Sequence, residues 1–191
     1  MRCNTMNAAL VLAIMGVEPA FIESTLGQWT GIPHRLQFFH TWQSPSGTKF
    51  RFFNDSCSTV PEAAAVASQS FGKQVVFITG GTDKGLDFMP LAATLNYKDS
   101  FSTKVYKLYL LDGTGTEKLV QLLKKDQIDF DKPFDSLELL LKKLKEDLLM
   151  AGDSFLSDTI VFSPGATSFG MFTNEFDRGN KFMNLVKEIF A

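Results

Sequence analysis

Long apolar runs are absent. Nothing in the 191 residues approaches the length of a membrane span, so a bilayer-crossing helix is not expected. The apolar stretch at residues 8–16 follows a single arginine and shows no small-residue cleavage pattern, which makes a poor signal peptide. Cysteine is scarce: Cys3 and Cys57 form neither a disulfide framework nor a metal-spacing motif, which points to a reducing, cytoplasmic setting. The two histidines, His34 and His40, have no carboxylate or cysteine partner at triad or metal spacing, so packing or hydrogen-bonding roles are expected for them. No charge of either sign dominates. With 19 Lys+Arg against 21 Asp+Glu the formal net charge is −2, which gives no bulk attraction to nucleic acid or a membrane surface. Nucleotide fingerprints are lacking too. The G-x-G-x-x-G pattern needs glycine where Thr82 stands, and the P-loop pattern needs lysine and a hydroxyl where Leu86 and Asp87 stand. This chain alone is therefore not expected to cradle a triphosphate. It has no internal repeat and no low-complexity linker.

What is present is apolar residue enough for a core, 45% of the chain with 19 phenylalanines. The run Val75-Val76-Phe77-Ile78-Thr79 is almost wholly apolar and reads as a strand buried on both faces, as in a parallel sheet. It ends in Gly80-Gly81-Thr82-Asp83-Lys84-Gly85. The glycines allow several backbone N–H groups to point into one concavity, and Lys84 adds a cation beside it.

Two helices are expected at residues 4–16 and 18–26, the second with Pro19 in its first turn. Thr30-Gly31-Ile32-Pro33 breaks the pattern. Two helices cannot bury their apolar faces alone. Residues 1–31 are therefore expected to be a helical remnant of a preceding domain, and residues 32–191 a domain of their own. After the break, β-rich runs at 36–42 and 48–54 suggest a hairpin. Thr59 and Glu62 fit a capping box that opens an alanine-rich helix to about residue 70. Further strands are expected at 105–111 and 158–162. Helices are expected at 88–95, 117–125, 136–150 and 175–190, with a turn at 112–116 and a weak element near 128–130. Strand–helix alternation predicts an α/β fold: a Rossmann-like, doubly wound, mostly parallel sheet with an N-terminal β-hairpin.

Three strand exits, at 54–59, 80–85 and 163–168, are polar and run toward helix N-termini. Ligands of open α/β sheets bind at the carboxyl ends of strands, and helix N-termini attract anions. Lys84 adds a full charge at one of these exits, which suits a small acid such as an amino-acid carboxylate.

These residues resemble a known family. Gly31-Ile32-Pro33-His34-Arg35 is similar to the G-[LI]-P-H-R hinge of the Mur ligases. Asn54-Asp55-Ser56 with Thr59 and Pro61 resembles their N-D-S-x-x-T-x-P segment, and Gly80-Gly81-Thr82-Asp83-Lys84 with Asp87-Phe88 their G-G-x-D-K-x-x-D-F loop. Ser163-Pro164, Ala166, Ser168-Phe169, Phe172, Asn174, Phe176, Arg178-Gly179 and Phe182 resemble the closing motif. The last two motifs favour the branch that adds D-glutamate to UDP-N-acetylmuramoyl-L-alanine.

The resemblance covers essentially the whole chain. It implies an ATP- and Mg2+-dependent ligase of peptidoglycan synthesis, working through an acyl phosphate as a cytoplasmic monomer. The P-loop, the metal ligands and the uridine site would lie in domains outside this chain, leaving no catalytic residue within it. By position, Thr59, Lys84, Ser168, Phe169 and Phe176 would hold D-glutamate, and Asn4, Asn7, Arg35 and Asp55 would lie near the nucleotide. Departures from the pattern are Cys57 for a usual lysine, Cys3 for histidine and Gly170 for aspartate. Other Mur-type or folylpolyglutamate-type ligases, and a non-catalytic anion-binding α/β module, remain as alternatives.

Overall fold

A computed structural model describes residues 2–95 and 105–191; the side chains of residues 2–4 and 153 are outside that description. The chain forms two compact units, Met1–Pro33 and His34–Ala191. In the first, α1 (Arg2–Ile14) turns through Gly16, at φ 81°, into α2 (Pro19–Gly27). Pro19 occupies the first turn of α2, where its missing N–H costs nothing. Ile22 is buried, whereas Leu10, Ile14, Met15 and Phe21 are exposed.

The second unit is built on a five-stranded sheet in the order β1-β2-β5-β3-β4. The strands are β1 (Gln37–Gln43), β2 (Lys49–Asn54), β3 (Val75–Thr79), β4 (Val105–Leu110) and β5 (Thr159–Phe162). β1 runs antiparallel to β2, with Gln37 opposite Asn54; every other pairing is parallel. This is the expected Rossmann-like α/β sheet with its N-terminal hairpin. Side chains alternate across a strand, and β3 shows the result. Val75 and Phe77 join a core with Ala64 of α3 (Pro61–Gln69), Leu91 of α4 (Met89–Leu95) and Leu119 of α5 (Thr114–Lys125). Val76 and Ile78 join the opposite core with Leu140 and Leu144 of α6 (Leu137–Ala151) and Phe182 of α7 (Glu175–Ile189). Burial on both faces explains the near-continuous apolar run. Ser136 caps α6, its hydroxyl accepting from the N–H of Leu139.

Local expectations are corrected in three places. Thr59 is not a helix cap and there is no capping box: α3 starts at Pro61, and the cap residue is extended Val60, without a side-chain cap bond. Proline's fixed φ and missing N–H suit the first helical position, and this pins the start of the helix. α5 begins at Thr114, not residue 117, because the Thr114 and Thr116 hydroxyls find partners in the β3 exit, as described below. Among the described residues no strand forms at 128–130; the pairing beside β4 is one parallel bridge, Leu111 with Phe134.

Candidate functional site

The parallel strands all release the chain at one rim of the sheet, and the released loops are stitched together there. Gly165 N–H donates to Ser58 O (2.9 Å), joining the β5 and β2 exits. Thr167 N–H donates to Thr82 O (2.9 Å) and Thr82 N–H to Thr167 O (3.3 Å), joining the β5 and β3 exits. The Thr82 hydroxyl donates to Phe169 O. The α7 N-terminus belongs to the same rim, since Ser56 Oγ donates to Glu175 O at 2.7 Å.

The glycine loop does not work as the sequence suggests. Its amides do not converge on an empty concavity. Gly80 N–H donates to Pro164 O (2.9 Å), Gly81 N–H to Thr116 Oγ1 (2.9 Å) and Asp83 N–H to Thr114 Oγ1 (3.0 Å). Asp83 turns its carboxylate back to the N–H groups of Gly85 and Leu86 and pairs with Lys118. These bonds hold Asp83 below the ordinary carboxylate range, the Lys118 bond first. Glycine is required for close packing instead. A Cβ on Gly80, at φ +108°, would lie 2.4 Å from Leu111 O and Thr116 Oγ1, and one on Gly113 would lie 2.5 Å from Gly81 O.

What remains for a ligand is side-chain chemistry. Lys84 is exposed and, among the described residues, pairs with no carboxylate. Thr59, freed from capping, is half-buried. Ser168 is buried on the β5 exit, and the residues Phe169 and Phe176 are 65% and 52% exposed. Arg35 is exposed immediately before β1. Asp55 is buried; Oδ1 accepts from Leu36 N–H (3.0 Å) and Oδ2 from the Ser163 hydroxyl (2.7 Å). Burial raises its pKa, partly offset by those bonds and the nearby Arg35 charge. Ser58 Oγ is buried nearby and, among the described residues, finds no partner in hydrogen-bonding geometry, though its hydroxyl is near enough to favour the charged Asp55 carboxylate slightly. Cys57 is a free, half-buried thiol whose pKa burial pushes up. Asn4 and Asn7 belong to α1 in the first unit. Asn7 is exposed there, and the Asn4 side chain lies outside the described residues.

Two residues at the rim stand in the sequence motifs but were given no site role from sequence. His34 accepts at Nδ1 from Asn54 Nδ2 (2.9 Å) and packs edge-on against Phe176 at 5.7 Å. Arg178 is fully buried. Its position carried a signal, because residues 178, 182 and 186 share one stripe of α7 and the other two are Phe182 and Val186. An arginine on an apolar stripe has a structural task.

Comparison with known proteins bears on the chain as a whole. The chain is 44% identical over 169 residues, 88% of its length, to a UDP-N-acetylmuramoylalanine--D-glutamate ligase of Treponema pallidum. It is 33% identical over 186 residues to the ligase of that name from Roseiflexus sp., and 32% over 189 residues to that of Aquifex aeolicus. The chain belongs to this ligase family. It corresponds to the carboxyl-terminal part of the relatives and spans 28%, 36% and 41% of the three, respectively. No family model matches it. Among the described residues no helix is long and apolar enough to cross a membrane.

Proposed function

We propose that this chain is the acceptor-binding part of a ligase that joins D-glutamate to UDP-N-acetylmuramoyl-L-alanine, and that residues 1–31 are the tail of that ligase's central domain. The observation that carries the reading is the joined rim: the loops bearing Thr59, Lys84 and Ser168 are hydrogen-bonded to one another at the carboxyl ends of the strands. D-Glutamate brings two carboxylates and an amine. The Lys84 ammonium suits a carboxylate, the Thr59 and Ser168 hydroxyls offer donors, and Phe169 and Phe176 offer apolar walls against the methylenes. Holding the acceptor by its carboxylates leaves the amine free to attack.

ATP in this reading supplies the activation of the acyl carboxylate. The exposed Arg35 guanidinium fits a phosphate. Asp55 holds Leu36, and hence Arg35, in place while each of its oxygens keeps a lone pair for a further donor. Asn4 and Asn7, in the first unit, are by this reading also near the nucleotide in the intact ligase. Among the described residues no group of three His, Cys, Asp or Glu could hold a metal ion; in this reading Mg2+ is held mainly by the other domains of the ligase. The reading includes a cytoplasmic, monomeric protein, which the free Cys57 thiol fits.

The test uses the full-length ligase carrying this segment. Lys84→Ala is expected to raise KM for D-glutamate at least tenfold, as loss of a charge-assisted bond of roughly 1.5–3 kcal/mol requires. Phosphate release at varied D-glutamate measures it, and an unchanged KM overturns the assignment.

A further inference from the structure

We infer that Arg178 is a positioning residue for this rim: its guanidinium locks the exits of β2, β5 and β3 in one register without itself touching a ligand. The link to acceptor binding rests on the reading above; the locking does not.

Three donors of the fork are used, all on neutral oxygens. Nε donates to Ser56 Oγ (3.1 Å) and Nη2 to Ser56 O (2.8 Å), both on the β2 exit, and Nη1 donates to Ala166 O (2.9 Å) on the β5 exit. Nη1 also lies against the β3 exit, where a Cβ on Gly81 would come within 3.8 Å of it. One planar group thus spans three loops that follow one another across the sheet. Ser56 extends the chain of bonds, since the hydroxyl that accepts from Nε donates in turn to Glu175 O.

The arrangement is costly. Arg178 is 0% exposed, and among the described residues no carboxylate lies within salt-bridge distance of it. Burial pushes its pKa down to about 10, and the more distant Glu175 only partly restores it. An apolar side chain continuing the Phe182–Val186 stripe would fill this position without desolvating a charge. What it could not do is reach two loops at fixed angles. Lysine could not either, because its ammonium is a point charge without the rigid fork.

Hydrogen exchange of this chain tests the inference. In Arg178→Met, the amides of Gly165 and Thr167, which bridge the loops, are expected to exchange at least tenfold faster. The amides of Ser44 and Arg51, which bond to Thr48 O and Asp158 O away from the rim, keep their protection. Arg178→Lys is expected to behave like Arg178→Met, and Ser56→Ala to show the same change more weakly. A second arm titrates D-glutamate, with Arg178→Met weakening binding at least tenfold. Lys84→Ala weakens binding as well but leaves the exchange pattern intact. Unchanged exchange at Gly165 and Thr167, or equal loss at Ser44 and Arg51, overturns the inference. Should Arg178→Met fail to fold, Ser56→Ala decides alone, and unchanged Gly165 exchange there rejects the role. A wild-type chain that binds no D-glutamate defeats the acceptor reading, while the exchange comparison still judges Arg178.

Discussion

His34 and Leu36 hold backbone angles of φ 59° and 44°, a left-handed region that non-glycine residues seldom enter. The surroundings enforce it. His34 N–H donates to Gln37 Oε1 (2.9 Å), and Cys57 N–H to His34 O (3.1 Å). Asn54 fixes the ring: its amide group donates to His34 Nδ1 and to Gly179 O, while its oxygen accepts from Ser56 N–H. Nδ1 is therefore the acceptor and the neutral ring carries its hydrogen on Nε2. Burial lowers the pKa from 6.5. The unfolded chain then binds the proton at a higher pH than the folded one, so stability is whole above about pH 6.5 and falls as pH drops through the lowered folded value. Thermal melts between pH 7.5 and 5 are expected to show this decline, and His34→Gln to flatten part of it. A Cβ on Gly179 would meet His34 Nδ1 at 2.2 Å. Gly179→Ala is accordingly expected to cost about 1–3 kcal/mol in denaturant unfolding, as overpacking does. None of this was legible in the sequence beyond the expectation that His34 makes ordinary hydrogen bonds, because its partners lie on β2 and α7.

Elements whose signals were local could be read from the chain. β3 carries its own burial in its composition, and α6 has leucines at helical spacing behind Ser136. Elements whose ends depend on remote partners could not. The start of α5 is drawn back to Thr114 because the Thr114 and Thr116 hydroxyls accept from N–H groups of the loop after β3. The same contact reverses the reading of the glycine pair, whose service is to let α5 approach. Gly80→Ala is expected to destabilise the protein by about 2 kcal/mol or more, since the new methyl meets backbone at a disallowed φ. A far larger effect on D-glutamate binding than on the melting temperature would mean that the loop serves the ligand first.

Across the whole molecule, the sheet separates two cores of different make. One is rich in phenylalanine and leucine, from β1, β2, α6 and α7; the other holds the alanines of α3 with α4 and α5. Leu144 is fully buried in the first, so Leu144→Ala is expected to cost about 2–5 kcal/mol by denaturant titration. The strand pattern revealed the fold class. It did not reveal that β5, last in sequence, lies between β2 and β3, because nothing local records which strand a distant segment will pair with.

The reversed first strand has a mechanical result. Because β1 opposes β2 with Gln37 level with Asn54, the chain enters β1 at the rim where the parallel strands end and not at the far end of the sheet, about 20 Å away for a strand of this length. A tug on the backbone at residue 36 is felt at Asp55 through a single hydrogen bond, and at Ser163 through one more.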